Sequence, residues 1–127
     1  MWYGCGTSPT TDSCIGLCLA TSHDGLKWAK EPLDVVPGTN IVIDAVLKSN
    51  NVWLDLDDQN ASRRYKLADS GGTDSAGRFG QSYRLWSSAD GVHWHVERAS
   101  TGPCSDRSTV FPNALRYVAH HHDVYPY

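Results

Sequence analysis

Asp106 and Arg107 stand side by side just ahead of the run Thr109–Phe111. A guanidinium beside a carboxyl lowers its pKa and keeps it ionised, so this pair offers a standing carboxylate at the entrance to a strand. The same two residues would also serve to cap a turn. Asp44 is the nearest acid upstream of a second such entrance, where Asn50 and Asn51 precede the run beginning at Val52. Asp55, Asp57 and Asp58 read as solvated residues at a strand end. The chain has only two glutamates, Glu31 and Glu97. His120-His121-His122 suggests metal binding, but neighbouring side chains on a strand alternate between faces, so at most His120 and His122 share an ion. His93 and His95 also share a face. Neither pair has a third ligand at recognisable spacing, and no metal or cofactor is expected.

The elements that must position these groups are strands. No sustained 3.6-residue apolar period marks a helix, whereas Val92, Trp94 and Val96 alternate with His93, His95 and Glu97. Val52-Trp53-Leu54, Arg64–Leu67 and Tyr83–Ser87 carry the β-branched and aromatic residues that strands favour, and Gly, Ser, Asn, Asp and Pro clusters separate them. The segment Asp69–Gly80 reads as a glycine-rich loop. The motif Ser22-His23-Asp24-Gly25-Leu26-Lys27-Trp28 returns as Ser88-Ala89-Asp90-Gly91-Val92-His93-Trp94, sharing Ser, Asp, Gly and Trp. Asp-Gly between strand-like runs is the signal of a two-residue type I′ turn. Such a turn would pair Ala89 with Val92, set Ser87 opposite Trp94, and in the first copy set Thr21 opposite Trp28. Ser22 and Ser88 are expected to hydrogen-bond within their turns.

Arg64-Tyr65-Lys66-Leu67-Ala68 resembles Arg116-Tyr117-Val118-Ala119, with Met1-Trp2-Tyr3 as an earlier copy. The repeat unit then has four strands, Val52–Asp57, Arg64–Ala68, Gln81–Ser88 and Val92–Arg98, the size and pattern of a β-propeller blade. The expected fold is all-β, a partial β-propeller of about two blades: residues 1–33 give the last three strands of one blade, 52–98 a complete blade, and 109–122 the first strands of a third. With 127 residues, the chain is too short for a closed propeller.

Composition bounds the rest. The net charge of −3 and the lack of any basic stripe argue against a nucleic-acid partner. No apolar run approaches the ~20 residues of a membrane helix, so no membrane partner is expected. Met1-Trp2-Tyr3-Gly4-Cys5 has neither a basic nor an apolar leader region, and no signal peptide is visible. Four cysteines, Cys5, Cys14, Cys18 and Cys104, form no CxxC pair. Cys5 with Cys18 on adjacent strands would suit a disulfide; buried thiols are the alternative. Asn60-Ala61-Ser62 is a glycosylation sequon.

In order, Met1-Trp2-Tyr3, Ala20–Leu33 with its Asp-Gly-Leu-Lys-Trp, Asn40-Ile41-Val42, Trp53-Leu54-Asp55, Arg63-Arg64-Tyr65-Lys66-Leu67, the second Asp-Gly turn and Asp106–Phe111 resemble the five-bladed propeller glycoside hydrolases, the superfamily of invertase-like and arabinanase-like enzymes. The likeness is to its uncharacterised bacterial members, and it covers nearly the whole chain. It implies a carbohydrate partner and a glycosidase site of carboxylates at the starts of the innermost strands. On that basis Asp106 corresponds to the transition-state stabiliser or base, Asp44 to a second candidate, and Arg107, Trp53 and Trp86 to substrate-binding residues, the indoles as stacking platforms or sheet packing. The chain departs from the pattern at the general acid. That role usually falls to a glutamate, yet Glu31 and Glu97 both fall in outermost strands. The expected function is therefore that of a glycoside hydrolase-like protein or fragment, catalytically incomplete alone, directed at an oligosaccharide. The alternative is a non-catalytic glycan-binding or assembly module. Open strand edges at Met1–Cys5 and Thr109–Ala119 invite self-association.

Overall fold

The computed structural model describes residues 1–7, 14–73, 75–104, 109–111 and 118–120. It is all-β, with one 3-10 turn at Ala61–Arg63. Strands β1 (Trp2–Thr7), β2 (Cys14–Leu19) and β3 (Ile41–Ile43) form one antiparallel sheet in the order β1-β2-β3. Strands β4 (Asn51–Leu54), β5 (Tyr65–Thr73), β6 (Phe79–Ser88) and β7 (Trp94–Arg98) form a four-stranded meander in sequence order. A short ladder pairs β8 (Thr109–Phe111) with β9 (Val118–His120).

Alternation decides what each sheet buries. Leu17 and Leu19 share a face of β2, and Val52, Leu67 and Trp86 lie in one cross-strand row of the meander. These faces meet in a core of Leu17, Val42, Ile43, Leu47 and Leu67, against which Trp2, Trp86 and Trp94 pack. Each fully buried leucine contributes about 1.5–3 kcal/mol of transfer free energy. The opposite face of the meander carries a smaller cluster of Ala68, Tyr83 and Cys104, bordered by Trp53, Leu85 and Val110. A disulfide joins Cys5 to Cys18 across β1 and β2, with Cα atoms 5.8 Å apart. Cys104 is buried.

Three expectations need correction. The segment Asp69–Gly80 is no loop at its ends: β5 continues to Thr73 and β6 begins at Phe79, with Gly71 and Gly72 at a register shift. The glycines are there for close approach rather than chain reversal. A Cβ at Gly71 would sit 2.5 Å from the Arg84 guanidinium, and one at Gly72 would sit 2.7 Å from the Ser82 carbonyl oxygen.

The repeated turn is also not two residues long. Ser88 pairs with Trp94, Ser87 with His95, and Thr21 bridges Ala29. Asp90 Oδ1 accepts from the backbone N–H of Val92 and of His93, both at 2.8 Å, while Ser88 Oγ accepts from Gly91 N–H at 2.9 Å. These bonds hold Asp90 on the ordinary side of φ and leave only Gly91 positive, at 78°. A type I′ turn needs both. The longer turn moves the register by one residue, which sends alternate side chains to the other face. Both serines do bond within their turns, as expected: Ser22 Oγ accepts from Gly25 N–H at 2.9 Å.

The third correction concerns bounds. The first strand of the meander ends at Leu54 rather than Asp57, and the last begins at Trp94 rather than Val92. The third strand of the first sheet, Ile41–Ile43, lies beyond the 1–33 bounds expected for the first unit.

Candidate functional site

The open face of the meander holds a cleft of about 760 Å³. Trp53 on β4, Lys66 on β5 and Ser87 on β6 lie in one cross-strand row, so alternation brings all three to this face. Tyr83 and Leu85 continue it along β6, and Val110 of β8 closes one side. Asp58 enters from the β4–β5 connection, where Lys66 Nζ donates to its Oδ2. Asn60 N–H donates to Asp58 Oδ1 at 2.8 Å and Arg63 approaches it at 3.4 Å. The Lys66 bond, then the Asn60 N–H, hold the Asp58 carboxyl down at about 2. Ser87 hydroxyl donates to Glu97 Oε1. The cleft thus combines an indole and apolar floor with bound carboxylates and cations at its rim, so that hydrogen-bonding groups stand beside an apolar surface.

Behind this face lies a polar knot. Asp69, fully buried, takes hydrogen bonds from Arg84 Nε at 3.2 and 3.1 Å, Arg84 Nη2 at 2.7 Å, Trp86 Nε1 at 2.8 Å and Gly71 N–H at 2.7 Å. Arg84 Nη2 also donates to the Val46 carbonyl at 2.7 Å, and Ser70 N–H to the Lys48 carbonyl at 2.7 Å. A carboxylate so fully engaged organises its neighbours and has no lone pair left to act as a base. Sequence reading passed over Asp69 because it opened a glycine-rich segment. The available signal was an acid and an arginine on facing strands flanked by glycine.

Of the expected site residues, Trp53 and Trp86 both border the cleft, but the Trp86 indole N–H turns to Asp69, and its ring lies 5.4 Å from the Arg84 guanidinium carbon and packs on the core. Asp44 is exposed just past the end of β3. Asp106 and Arg107, with His121 and His122, lie outside the described residues. Glu97 stands in β7, the outermost strand of the meander, and Glu31 is exposed. Among the described residues no three metal-ligating side chains gather, and no helix is long and apolar enough to cross a membrane.

A third cluster sits at the turn end. His93 binds Asp90 through Nδ1 at 2.8 Å and Asp34 through Nε2 at 3.1 Å, tying the 30–40 segment to the second turn. Asp90 first, then Asp34, raise the His93 pKa above 6.5. Burial pulls Asp90 upward, but the His93 ring and the backbone N–H groups of His93 and Val92 outweigh it and leave its pKa well down. Backbone N–H groups of Lys27 and Leu26 likewise lower Asp24 in the first turn. A raised histidine stabilises the fold fully below its unfolded value of about 6.5, and that stabilisation is lost as pH rises through the folded value. Urea midpoints at about pH 6 and pH 8 are therefore expected to fall less in His93→Ala than in the parent. Equal falls in both would remove His93 from the pH response.

Comparison of the chain with protein-family models, with curated proteins and with solved structures found no match in any of the three.

Proposed function

We propose that this chain is a glycan-directed module of the five-bladed propeller type, akin to invertase-like and arabinanase-like glycoside hydrolases, and that it holds an oligosaccharide without cleaving it alone. Supporting the propeller part are the meander order of the two sheets, the copy of the Asp-Gly turn on each, and the connection through residues 44–50. That connection runs from the edge strand of one sheet to the first strand of the next. The observation that carries the function is the cleft with Trp53 in its lining and bound carboxylates and cations at its rim. In a closed ring the next sheet would cover this face, so binding here belongs to the open form.

Cleavage needs a protonated carboxyl opposite an ionised one. The resolved pKa shifts of carboxyls, at Asp24, Asp58 and Asp90, all run downward, away from a general acid. Loss of such an acid removes on the order of 10²–10⁴ in rate. Under this reading Asp106 is the base or stabiliser and needs further blades to complete its site.

Titration with arabinan and fructan oligosaccharides tests the proposal, paired with an assay of aryl glycoside hydrolysis. Binding without turnover is expected. Trp53→Ala should weaken binding about tenfold, the equivalent of about 1.4 kcal/mol, the size of a good aromatic contact. Unchanged affinity in Trp53→Ala, or robust turnover insensitive to Asp106→Asn, would overturn it.

A further inference from the structure

The two Asp-Gly turns share one frame, and among the described residues only the second receives an indole from another strand. In the second, the Gly91 carbonyl accepts two indole N–H groups: its own turn's Trp94 at 3.0 Å, and Trp2 of β1 in the other sheet at 2.7 Å. The Trp2 ring meets Trp94 edge-on, with centroids 6.5 Å apart. It covers Gly91 so closely that a Cβ there would lie 2.5 Å from Trp2 Cζ2. Gly91 is buried, and Val92 and Trp94 pack against the core.

The first turn repeats the main bonds of the frame. Asp24 Oδ1 accepts from Leu26 and Lys27 N–H, both at 2.8 Å, Gly25 has φ 72°, and Trp28 Nε1 donates to the Gly25 carbonyl at 3.1 Å. Here no described residue takes the guest's place. Among the described residues nothing lies within 4 Å of a Cβ placed on Gly25, Leu26 is 85% exposed and Trp28 is 42% exposed. A carbonyl accepts two hydrogen bonds, so the Gly25 oxygen has a place for a second indole beside an apolar wall already built.

We infer that the Asp24–Trp28 turn is a docking site for a tryptophan carried by a preceding antiparallel sheet of the same kind. The occupied turn supplies the identity of the guest. The register excludes a second copy of this chain as its source. Trp2 lies opposite Leu19, three residues before Ser22, and the matching position of the meander is Ala68, opposite Leu85, three residues before Ser88. A copy docking as the first sheet docks on the second would present Ala68, which is itself buried. The partner is a further sheet unit with an indole at that place, because units of a repeat bury their faces on their neighbours. This rests on the repeat and not on sugar binding, so failure of either is measured separately.

The experiment is a ¹H–¹⁵N titration of the intact chain with N-acetyl-L-tryptophanamide at roughly millimolar concentrations, the range of a single ring contact, with N-acetyl-L-leucinamide as the control. Shifts are expected at the Gly25 and Leu26 amides and the Trp28 indole N–H with the tryptophan amide alone, while Gly91 and Trp94 stay silent. In Trp2→Ala, Gly91 and Trp94 should join the responders. Equal responses to both amides, or silence at Gly25 when the vacated Gly91 turn responds, would overturn the inference. If Trp2→Ala does not fold, silence at Gly25 in the parent suffices to overturn it. Concentration-dependent broadening of the same resonances with no probe present would assign the site to a second copy instead, and would equally defeat it.

Discussion

Asp69→Asn is expected to lower stability by about 3–5 kcal/mol, the cost of breaking a buried ion pair from one side. The replacement amide keeps one acceptor oxygen but turns an NH₂ toward donors, either the Trp86 indole N–H or the Arg84 guanidinium. Arg84 is then left largely buried with its charge unmatched. A domain of this size has about 5–15 kcal/mol in total, so the variant should sit near the edge of folding. Urea denaturation measures the loss as a lower midpoint at an unchanged slope. A loss below about 1 kcal/mol, typical of a solvated pair, would show that the knot is not what holds β5, β6 and the 44–50 connection together. Removing Asp69 and Arg84 together in favour of apolar residues should cost less than Asp69→Asn alone, since no stranded charge remains.

Gly91→Val and Gly25→Val form a matched pair with unequal expected outcomes. Both glycines hold positive φ, 78° and 72°, where a β-branched residue is strained by roughly 1–3 kcal/mol. At Gly25 that strain is the whole expected effect, because no described residue lies within 4 Å of the new Cβ. At Gly91 the new side chain also meets the Trp2 ring, and overpacking adds a further 1–3 kcal/mol or so. It would break the Trp2 bond to the Gly91 carbonyl as well. Thermal unfolding of the two variants should therefore separate clearly, with Gly91→Val the less stable. Glycan affinity should survive in whichever variant folds, since neither turn contributes to the Trp53 cleft. Equal losses in the two would mean that Trp2 yields without cost.

Strand identity was legible in Val92–Glu97 because apolar and polar residues alternate, although Val96 ends half exposed on the edge strand, and in Val52–Leu54 because β-branched and aromatic residues favour strands. Register was less so. A dipeptide such as Asp90-Gly91 announces a turn, but its length was set by the Ser88 hydroxyl and the Asp90 carboxylate capturing backbone N–H groups, and nothing local distinguishes that from a type I′ hairpin. Asp69 was hidden by its setting, because glycine serves chain reversal and close packing alike, and only the facing Arg84 decides between them. The Trp2–Gly91 bond spans 89 positions of sequence, a distance at which no local pattern operates. Trp53 could be singled out as a residue able to stack on a ring, but the cleft around it needs three strands in register before it exists.

The connection 44–50 has a consequence for how the molecule comes apart. Its Val46 carbonyl receives Arg84, its Lys48 carbonyl receives Ser70, and its Leu47 side chain is buried in the shared core. A linker between two sheets is commonly the place where one can open while the other persists. This one is bonded to the centre of the meander, so peeling it away uncovers Asp69 and Arg84. Opening at the connection therefore carries the cost of exposing a buried ion pair, and the hinge between the sheets is one of the tightly held parts of the chain.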